Sequence, residues 1–390
     1  LKALDSNNDA NTAYRWIWEL IQNAKDVPNS SGKVDIEINF DENKKTLEFK
    51  HNGRLFSTKN IIFLIEQVST KERDKIEQKE EKTTGKFGTG FLTTHLLSKK
   101  VAVSGYIQDE DDPISKFSIN LDRTSGLQRE IIASIENSCN QLESNSISLK
   151  ESVDENGFNT CFTYELDSYG ITVAKEGINN LIISAPFVFA FVPEINSIRI
   201  NAEKYTQKIE RRIEPSIKLE NSRVISTSIT TNGRKENRYI ALLQNSEGSV
   251  EIAIEVEHKQ GENWLCVVNE KLPKLYCDFP LLGTNDFSFP VVINCRYFNP
   301  TEPRNCIFLT TKEDKEDSDD VKANKKYVLL AINLYKKFLD YFVREQYKGI
   351  YNIVKISSQP AKDWISAEWI EENVISELKE YKQNSISQFC

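Results

Sequence analysis

The closely spaced glycines Gly85, Gly88 and Gly90 are the feature that most constrains the fold of this chain. They follow a charged run, 71–82, and precede a pattern that predicts a short helix over residues 91–98. Glycine leaves backbone N–H groups unobstructed, and N–H groups at the start of a helix attract phosphate. The segment lacks the Gly-Lys-Ser/Thr ending of a Walker loop and the preceding strand of a Rossmann turn. A different kind of phosphate-binding loop and a simple flexible loop both remain open.

A second polar pattern lies on an amphipathic helix that the periodicity predicts over residues 9–26. Glu19, Asn23 and Asp26 are spaced so that their side chains line up along one face of this helix. Two carboxylates and an amide facing one way suit Mg²⁺, which takes hard oxygen ligands and often shares them with phosphates. The alternative is an ordinary solvated helix face.

Helical and strand patterns alternate along the whole chain, which predicts an α+β fold. Two β-like runs, 34–40 and 46–50, form a predicted hairpin that ends at His51-Asn52-Gly53. The other predicted helices cover residues 59–68, 127–142, 170–183, 327–346, 364–374 and 375–383, and residues 311–326 are predicted to form a charged linker. The other predicted strands cover residues 101–107, 160–166, 197–201, 238–244, 250–257, 264–268 and 289–295.

The composition argues against several classes of protein. The 50 Lys and Arg residues against 58 Asp and Glu give a net charge of −8, which disfavours sequence-independent nucleic-acid binding. The 7 cysteines are widely spaced, which disfavours a disulfide framework or a zinc site, and no apolar run predicts a membrane span. We therefore expect a soluble cytoplasmic protein. Because the sequence has no methionine, we also expect that methionines are missing from it. Its start without an initiator and its helical, polar end lead us to expect a longer parent protein.

The order of these motifs resembles a known superfamily. Five elements follow one another as in gyrase, heat-shock chaperones of the ninety-kilodalton class, histidine kinases and MutL (GHKL). They are the helix with Glu19, the strand end at His51, the charged segment, the glycine segment and the strand beginning at Thr160. The amino-acid sequence of residues 18–26, and that of the glycine segment as far as His95, is most similar to the sacsin-like branch of this superfamily. The resemblance covers residues 1–203 and implies a Bergerat-type ATP-binding domain, which is a mixed, mainly antiparallel sheet covered by helices.

The resemblance also implies roles for individual residues. Glu19 would be the general base that activates the attacking water, Asn23 would coordinate Mg²⁺, and Asp26 would support the helix. The residues that would cradle the phosphates of ATP are Gly85, Lys86, Phe87, Gly88, Thr89, Gly90 and Phe91.

The residues that would bind the nucleotide base match the superfamily at one position and differ from it at another. Thr160 corresponds to a threonine that holds the adenine side of the pocket. Where most members have Asp-x-Gly, with the aspartate accepting from the adenine amino group, this chain has His51, Asn52 and Gly53. Histidine can still accept through one ring nitrogen, and Asn52 offers an amide oxygen. Adenine is therefore held differently, base selectivity is relaxed, or His51 has no ligand role.

The second half of the chain resembles the middle domain of the same chaperone ATPases. We expect this smaller α/β domain to cover residues 204–350 and a C-terminal helical segment to cover residues 351–390. The loop that contains Arg304 resembles one in which an arginine reaches the γ-phosphate, with Arg296 as a second candidate. The alternative is a surface arginine after a turn.

Together these patterns predict an ATP-binding conformational switch that hydrolyses ATP slowly in the presence of Mg²⁺. A lid over residues 69–84 would close on the nucleotide, and the protein would act on an unknown client, with a nucleotide-dependent homodimer also expected. A non-hydrolysing nucleotide-binding scaffold is the main alternative. A DNA-acting relative of MutL or the topoisomerases is a third, which the acidic charge disfavours.

Overall fold

The computed structural model describes residues 13–66, 90–110, 112–149, 153–154, 157–301, 304–311 and 316–387. These residues form two compact units. Unit 1 contains the described residues up to 181 together with Pro193–Glu210 and Thr230–Lys235, and unit 2 contains Ile182–Val192, Arg211–Ile229 and the described residues from 236 onward. The predicted domain boundary near residue 204 stays a prediction.

The predicted α+β class is confirmed, because helices accompany a mixed and mostly antiparallel sheet. The helices are α1 (Arg15–Lys25), α2 (Thr58–Glu66), α3 (Gln128–Asn145), α4 (Ser168–Phe191), α5 (Asp319–Arg344), α6 (Tyr351–Val354), α7 (Ala367–Ile370) and α8 (Ser376–Ser387), with a 3₁₀ segment at Gly90–Leu96 and a π turn at Glu371–Ile375. The strands are β1 (Val34–Asp41), β2 (Thr46–His51), β3 (Lys100–Ile107), β4 (Ser115–Asp122), β5 (Ile147–Ser148), β6 (Thr160–Glu165), β7 (Ile195–Ala202), β8 (Tyr205–Glu214), β9 (Ser222–Thr231), β10 (Arg234–Gln244), β11 (Glu251–Lys259), β12 (Glu262–Leu265), β13 (Leu275–Cys277), β14 (Phe279–Pro280) and β15 (Val292–Asn294).

The strands of unit 1 lie in the order β8, β7, β1, β2, β6, β3, β4, β5. Every neighbouring pair is antiparallel except β1 and β7. Strand β1 shows why the sheet has one apolar face: Val34, Ile36 and Ile38 are buried, whereas the alternate residues Asp35 and Glu37 are only half-buried. This period of two places the core on one face and a polar network on the other.

Helix α1 packs on the apolar side of unit 1 through two tryptophans. The indole nitrogen of Trp16 donates to the carbonyl oxygen of Val173 at 3.1 Å, and that of Trp18 donates to Oδ1 of Asn180 at 2.7 Å. The glycine at position 177 lets the fully buried Trp16 ring approach, since an added Cβ would lie 2.3 Å from its ring nitrogen. Because large aromatic side chains bury much apolar surface, these contacts fix the position of α1 on α4.

Unit 2 contains the other strands and a hydrophobic core. Its strands lie in the order β14, β13, β15, β11, β10, β9, with β12 paired to β11, and the pair β13 and β15 is parallel. Helix α5 buries Tyr335, Phe338 and Phe342 in this core. The helix begins where the Ser318 hydroxyl accepts from the N–H of Val321, and acidic residues in its first turn favour the helix dipole.

Several boundaries differ from the predictions. The linker predicted over 311–326 is wrong from residue 319 onward, because the Ser318 cap starts α5 eight residues early. The helix predicted over 170–183 extends over Ser168–Phe191 and includes Pro186. The two C-terminal pieces form one run from Ala367 to Ser387 that passes through the π turn. Strands β4, β5, β8, β9, β13 and β14 were missed.

Candidate functional site

The three polar residues predicted to share a face of α1 lie in the second half of this helix and at its C-cap. Glu19 and Asn23 lie within α1, and Asp26 is the C-cap, with helical φ and ψ. Glu19 and Asp26 are half-buried, whereas Asn23 is exposed. The Lys25 ammonium lies 3.5 Å from Oδ1 of Asp26, and the Asp26 N–H donates to the Gln22 carbonyl. Asp26 therefore contributes to the end of the helix, and Asn23 is the most exposed of the three residues.

His51 ends β2 on the apolar face of the sheet, beyond Leu47 and Phe49. The ring of Phe49 meets the His51 ring edge-on at 6.4 Å. The Nδ1 atom of His51 accepts from the N–H of Gly53 at 3.2 Å. Burial lowers the pKa of His51 to about 4, so the imidazole is neutral at pH 7.

The Asn52 side chain is used within the sheet. Its amide oxygen accepts from the N–H of Asp35 at 2.6 Å, and its amide nitrogen donates to the Asp35 carboxylate at 3.1 Å. That carboxylate also accepts from Asn196 and Ser197 on the same polar face. The amide oxygen that the sequence offered as a ligand for a base is therefore already taken, which leaves His51 as the side chain of this turn on the opposite face.

Strand β6 brings Thr160 directly opposite His51. The two residues are register partners in the antiparallel pair of β2 and β6, and both are buried. Asn159 joins the two strand ends, since its N–H donates to the His51 carbonyl at 3.1 Å and its side-chain amide donates to the Gly53 carbonyl. The Thr160 hydroxyl in turn donates to Oδ1 of Asn159 at 3.2 Å. Sequence reasoning missed Asn159, because only the strand register reveals its partners.

Gly53 links the end of β2 to the residues that follow α1. An added Cβ at Gly53 would lie 2.3 Å from the Val27 carbonyl oxygen and 3.0 Å from Nδ1 of His51. The N–H of Arg54 donates to the same Val27 oxygen at 2.9 Å. Only a residue without a side chain allows this approach, so Gly53 sets the distance between the C-terminal end of α1 and the end of β2.

The 3₁₀ segment Gly90–Leu96 packs against α1. The helix predicted over 91–98 is thus tighter and shorter, and the Thr94 hydroxyl donates to the Phe91 carbonyl within it. The Phe91 ring lies 5.6 Å from that of Phe162, two residues beyond Thr160 on β6. Gly90 and Phe91 therefore lie near the strand end that carries Thr160. The other predicted phosphate-binding residues, Gly85, Lys86, Phe87, Gly88 and Thr89, and the predicted lid lie outside the described residues.

The two arginines of the predicted finger belong to unit 2. A terminal nitrogen of Arg304 donates to the Cys277 carbonyl at 3.1 Å, so its guanidinium is engaged locally. Arg296 lies 3.9 Å from the buried carboxylate of Asp278 and is mostly exposed. The role of either arginine toward a nucleotide stays a prediction.

Two features that the described residues lack bear on the kind of site. None of their helices is long and apolar enough to cross a membrane. They also contain no group of three or more His, Cys, Asp and Glu side chains that could hold a metal ion. A cation beside Asn23 would need further ligands from water or from a bound molecule, which is the usual situation for Mg²⁺ at phosphates.

A scan against protein-family models and a search of curated proteins found no match for this chain. The candidate site is therefore defined by its own geometry: the polar face of α1, the paired strand ends at His51 and Thr160, and the 3₁₀ segment between them.

Proposed function

We propose that this chain is a nucleoside triphosphate-driven conformational switch with a Bergerat-type nucleotide-binding domain, and that the triphosphate is hydrolysed slowly with Mg²⁺. ATP is the nucleotide that the sequence resemblance implies. The observation that carries the proposal is that three of the sequence motifs, namely the polar face of α1, the strand end at His51 and the strand beginning at Thr160, lie in unit 1 together with the 3₁₀ segment Gly90–Leu96. The register of His51 with Thr160, the packing of α1 on the 3₁₀ segment, and the close approach at Gly53 support it together.

The end of the site at α1 would hold the phosphates. Glu19 would act as the general base, because a half-buried carboxylate beside the terminal phosphate can orient and deprotonate a water. The exposed residue Asn23 would hold Mg²⁺, which would supply positive charge against the negative charge that develops on the phosphates. Gly90 and the N–H of Phe91 would continue a cradle of backbone N–H groups that begins at Gly85.

The end of the site at the sheet would hold the base. His51 and Thr160 form a buried pair of polar side chains on the apolar face, and Phe91 and Phe162 add aromatic surface nearby. Buried polar groups beside apolar surface are the usual elements of a ligand-orienting site. The phosphate and base ends would lie on opposite sides of Gly53, where α1 approaches β2.

The role of Glu19 is tested by the substitution Glu19→Gln in the full chain. Removal of a general base slows hydrolysis by about 100-fold or more, while binding of the nucleotide stays within about threefold. Phosphate release and equilibrium binding are measured with Mg²⁺ and ATP, GTP and ITP. The matched control is Glu136→Gln, since Glu136 is exposed on α3 and lies away from the site.

Three outcomes of this experiment are distinct. Hydrolysis lost in Glu19→Gln and kept in Glu136→Gln supports the assigned role. Equal hydrolysis in both variants contradicts it. Tight nucleotide binding without phosphate release by the wild-type chain would favour a non-hydrolysing nucleotide-binding scaffold over an enzyme.

The proposed switch also predicts a change in assembly or shape on binding. Sedimentation of the full chain with a non-hydrolysable triphosphate analogue and Mg²⁺ tests for the expected homodimer. Unchanged sedimentation at saturating analogue would contradict the dimer without affecting the role of Glu19.

A further inference from the structure

The hydrogen-bonding polarity of His51 is fixed by its neighbour. The Gly53 N–H points at Nδ1 of the ring at 3.2 Å, so Nδ1 must carry the lone pair that accepts this hydrogen bond. A neutral imidazole has one acceptor nitrogen and one N–H. The burial that lowers the pKa of His51 to about 4 keeps the ring neutral at pH 7. The proton therefore lies on Nε2.

The Nε2–H group of His51 is a donor that the described protein residues do not use. The ring is almost fully buried on the apolar face of the sheet. A ligand that brings an acceptor to Nε2 would pair with this donor.

The side chain opposite His51 has the complementary polarity. The Thr160 hydroxyl gives its proton to Oδ1 of Asn159, so its oxygen keeps lone pairs that can accept. The amide of Asn52 is bonded to Asp35, and that of Asn159 is bonded to Gly53. The two register partners thus present one donor, from His51, and one acceptor, from Thr160.

We propose that the base end of this site selects a 6-oxopurine, such as guanine or hypoxanthine, in preference to the 6-aminopurine adenine. The inference rests on the proposed function and names the class of nucleotide. A 6-oxopurine has an acceptor at O6 and a donor at N1–H, which match Nε2–H of His51 and the oxygen of Thr160. Adenine has a donor at N6 and an acceptor at N1, so N6 meets the fixed Nε2–H donor of His51 as a donor–donor mismatch when adenine occupies the same position, whereas the Thr160 hydroxyl can rotate to donate to N1.

The expected preference follows from the polar mismatch. A site that forms a hydrogen bond with one base leaves a buried group unpaired with the other, and the affinity falls by about tenfold or more. ITP is the sharpest probe, because hypoxanthine differs from adenine at position 6 and N1 and lacks the 2-amino group of guanine.

The experiment measures equilibrium binding of ITP, GTP and ATP to the full chain with Mg²⁺. The variant His51→Asp replaces the donor by an acceptor, and His258→Asp is the control, because His258 is exposed in unit 2. The wild-type chain and the control are expected to bind ITP at least about tenfold more tightly than ATP, and His51→Asp is expected to reverse this order.

A wild-type chain that binds ATP as tightly as ITP, or more tightly, overturns the inference even if the variant fails to fold. If that chain still hydrolyses ATP through Glu19, the proposed function stands without the base preference. If neither ITP, GTP nor ATP binds, the proposed function fails and the inference fails with it. Inorganic triphosphate with Mg²⁺ separates these cases further, since its binding reports the phosphate end alone.

Discussion

Replacement of Gly53 by alanine should separate α1 from the end of β2. The added Cβ would lie 2.3 Å from the Val27 carbonyl oxygen, which is backbone and cannot rotate away, and 3.0 Å from Nδ1 of His51. Either the chain after α1 or the end of β2 must therefore move. That movement removes the hydrogen bond from the Arg54 N–H to Val27, which now measures 2.9 Å.

The magnitude follows from these two losses. Overpacking of this kind is destabilising by roughly 1–3 kcal/mol. The broken backbone hydrogen bond adds about 1 kcal/mol. We therefore expect Gly53→Ala to lower the free energy of local opening at the strand ends by about 3 kcal/mol, which raises amide exchange there by a factor of about 100.

Amide hydrogen exchange measured by mass spectrometry reports this opening for peptides that contain His51 or Thr160. The control is Gly126→Ala, because Gly126 is exposed and an added Cβ would meet no atom within 4 Å. Surface substitutions of that type change stability by about 0.5 kcal/mol or less. Equal exchange in the two variants would refute the claim that the Gly53 contact holds the site together.

Three further predictions concern the surroundings of the site. Gly177→Ala places a methyl group against the Trp16 ring, so we expect a loss of about 1–3 kcal/mol in stability by thermal unfolding, partly offset by the better helix propensity of alanine. Asn52→Ala removes two hydrogen bonds to Asp35 and should destabilise the chain by about 1–3 kcal/mol in urea, with the ratio of ITP to ATP affinity unchanged. Burial lowers the pKa of His51 from 6.5 to about 4, so the unfolded chain takes up the proton first and the free energy of unfolding falls as the pH drops from 6.5 to 4. His51→Asn should reduce the slope of unfolding free energy against pH, measured in urea, by up to about 1.4 kcal/mol per pH unit. An unchanged slope would contradict the burial of a neutral His51.

The sequence predicted the elements whose hydrophobic period is strong. The hairpin of β1 and β2 and strand β6 carry clean alternation, and the structure has them within a few residues. Helix α1 carries helical spacing and is present over Arg15–Lys25, while residues 9–12 of its predicted range lie outside the described residues. Strand β8 was missed because it contains two adjacent arginines and few apolar residues, so its pairing with neighbouring strands decides its conformation. The start of α5 was missed because its first turns are charged and only the Ser318 cap marks them.

The residue types of the candidate site were predictable, but which of its polar atoms donate, accept or are already hydrogen-bonded was not. The spacing of Glu19, Asn23 and Asp26 and the strand end at His51 could be found from the sequence. The partner of each polar atom depends on register and turn geometry, which bring residues 159 and 53 together across the sheet. No local pattern indicates that the Asn52 amide bonds to Asp35 or that Nδ1 of His51 accepts from Gly53.

Magnesium-dependent binding of a nucleoside triphosphate to the full chain is the most direct test of the central claim. Isothermal titration with ATP, GTP and ITP should show saturable binding that is lost on chelation of Mg²⁺ and weakened by about tenfold or more in Asn23→Ala. The same substitution at the exposed Asn140 of α3 should leave binding unchanged. Absence of binding by all three nucleotides, or equal binding by the Asn23→Ala and Asn140→Ala variants, would contradict a phosphate site at α1.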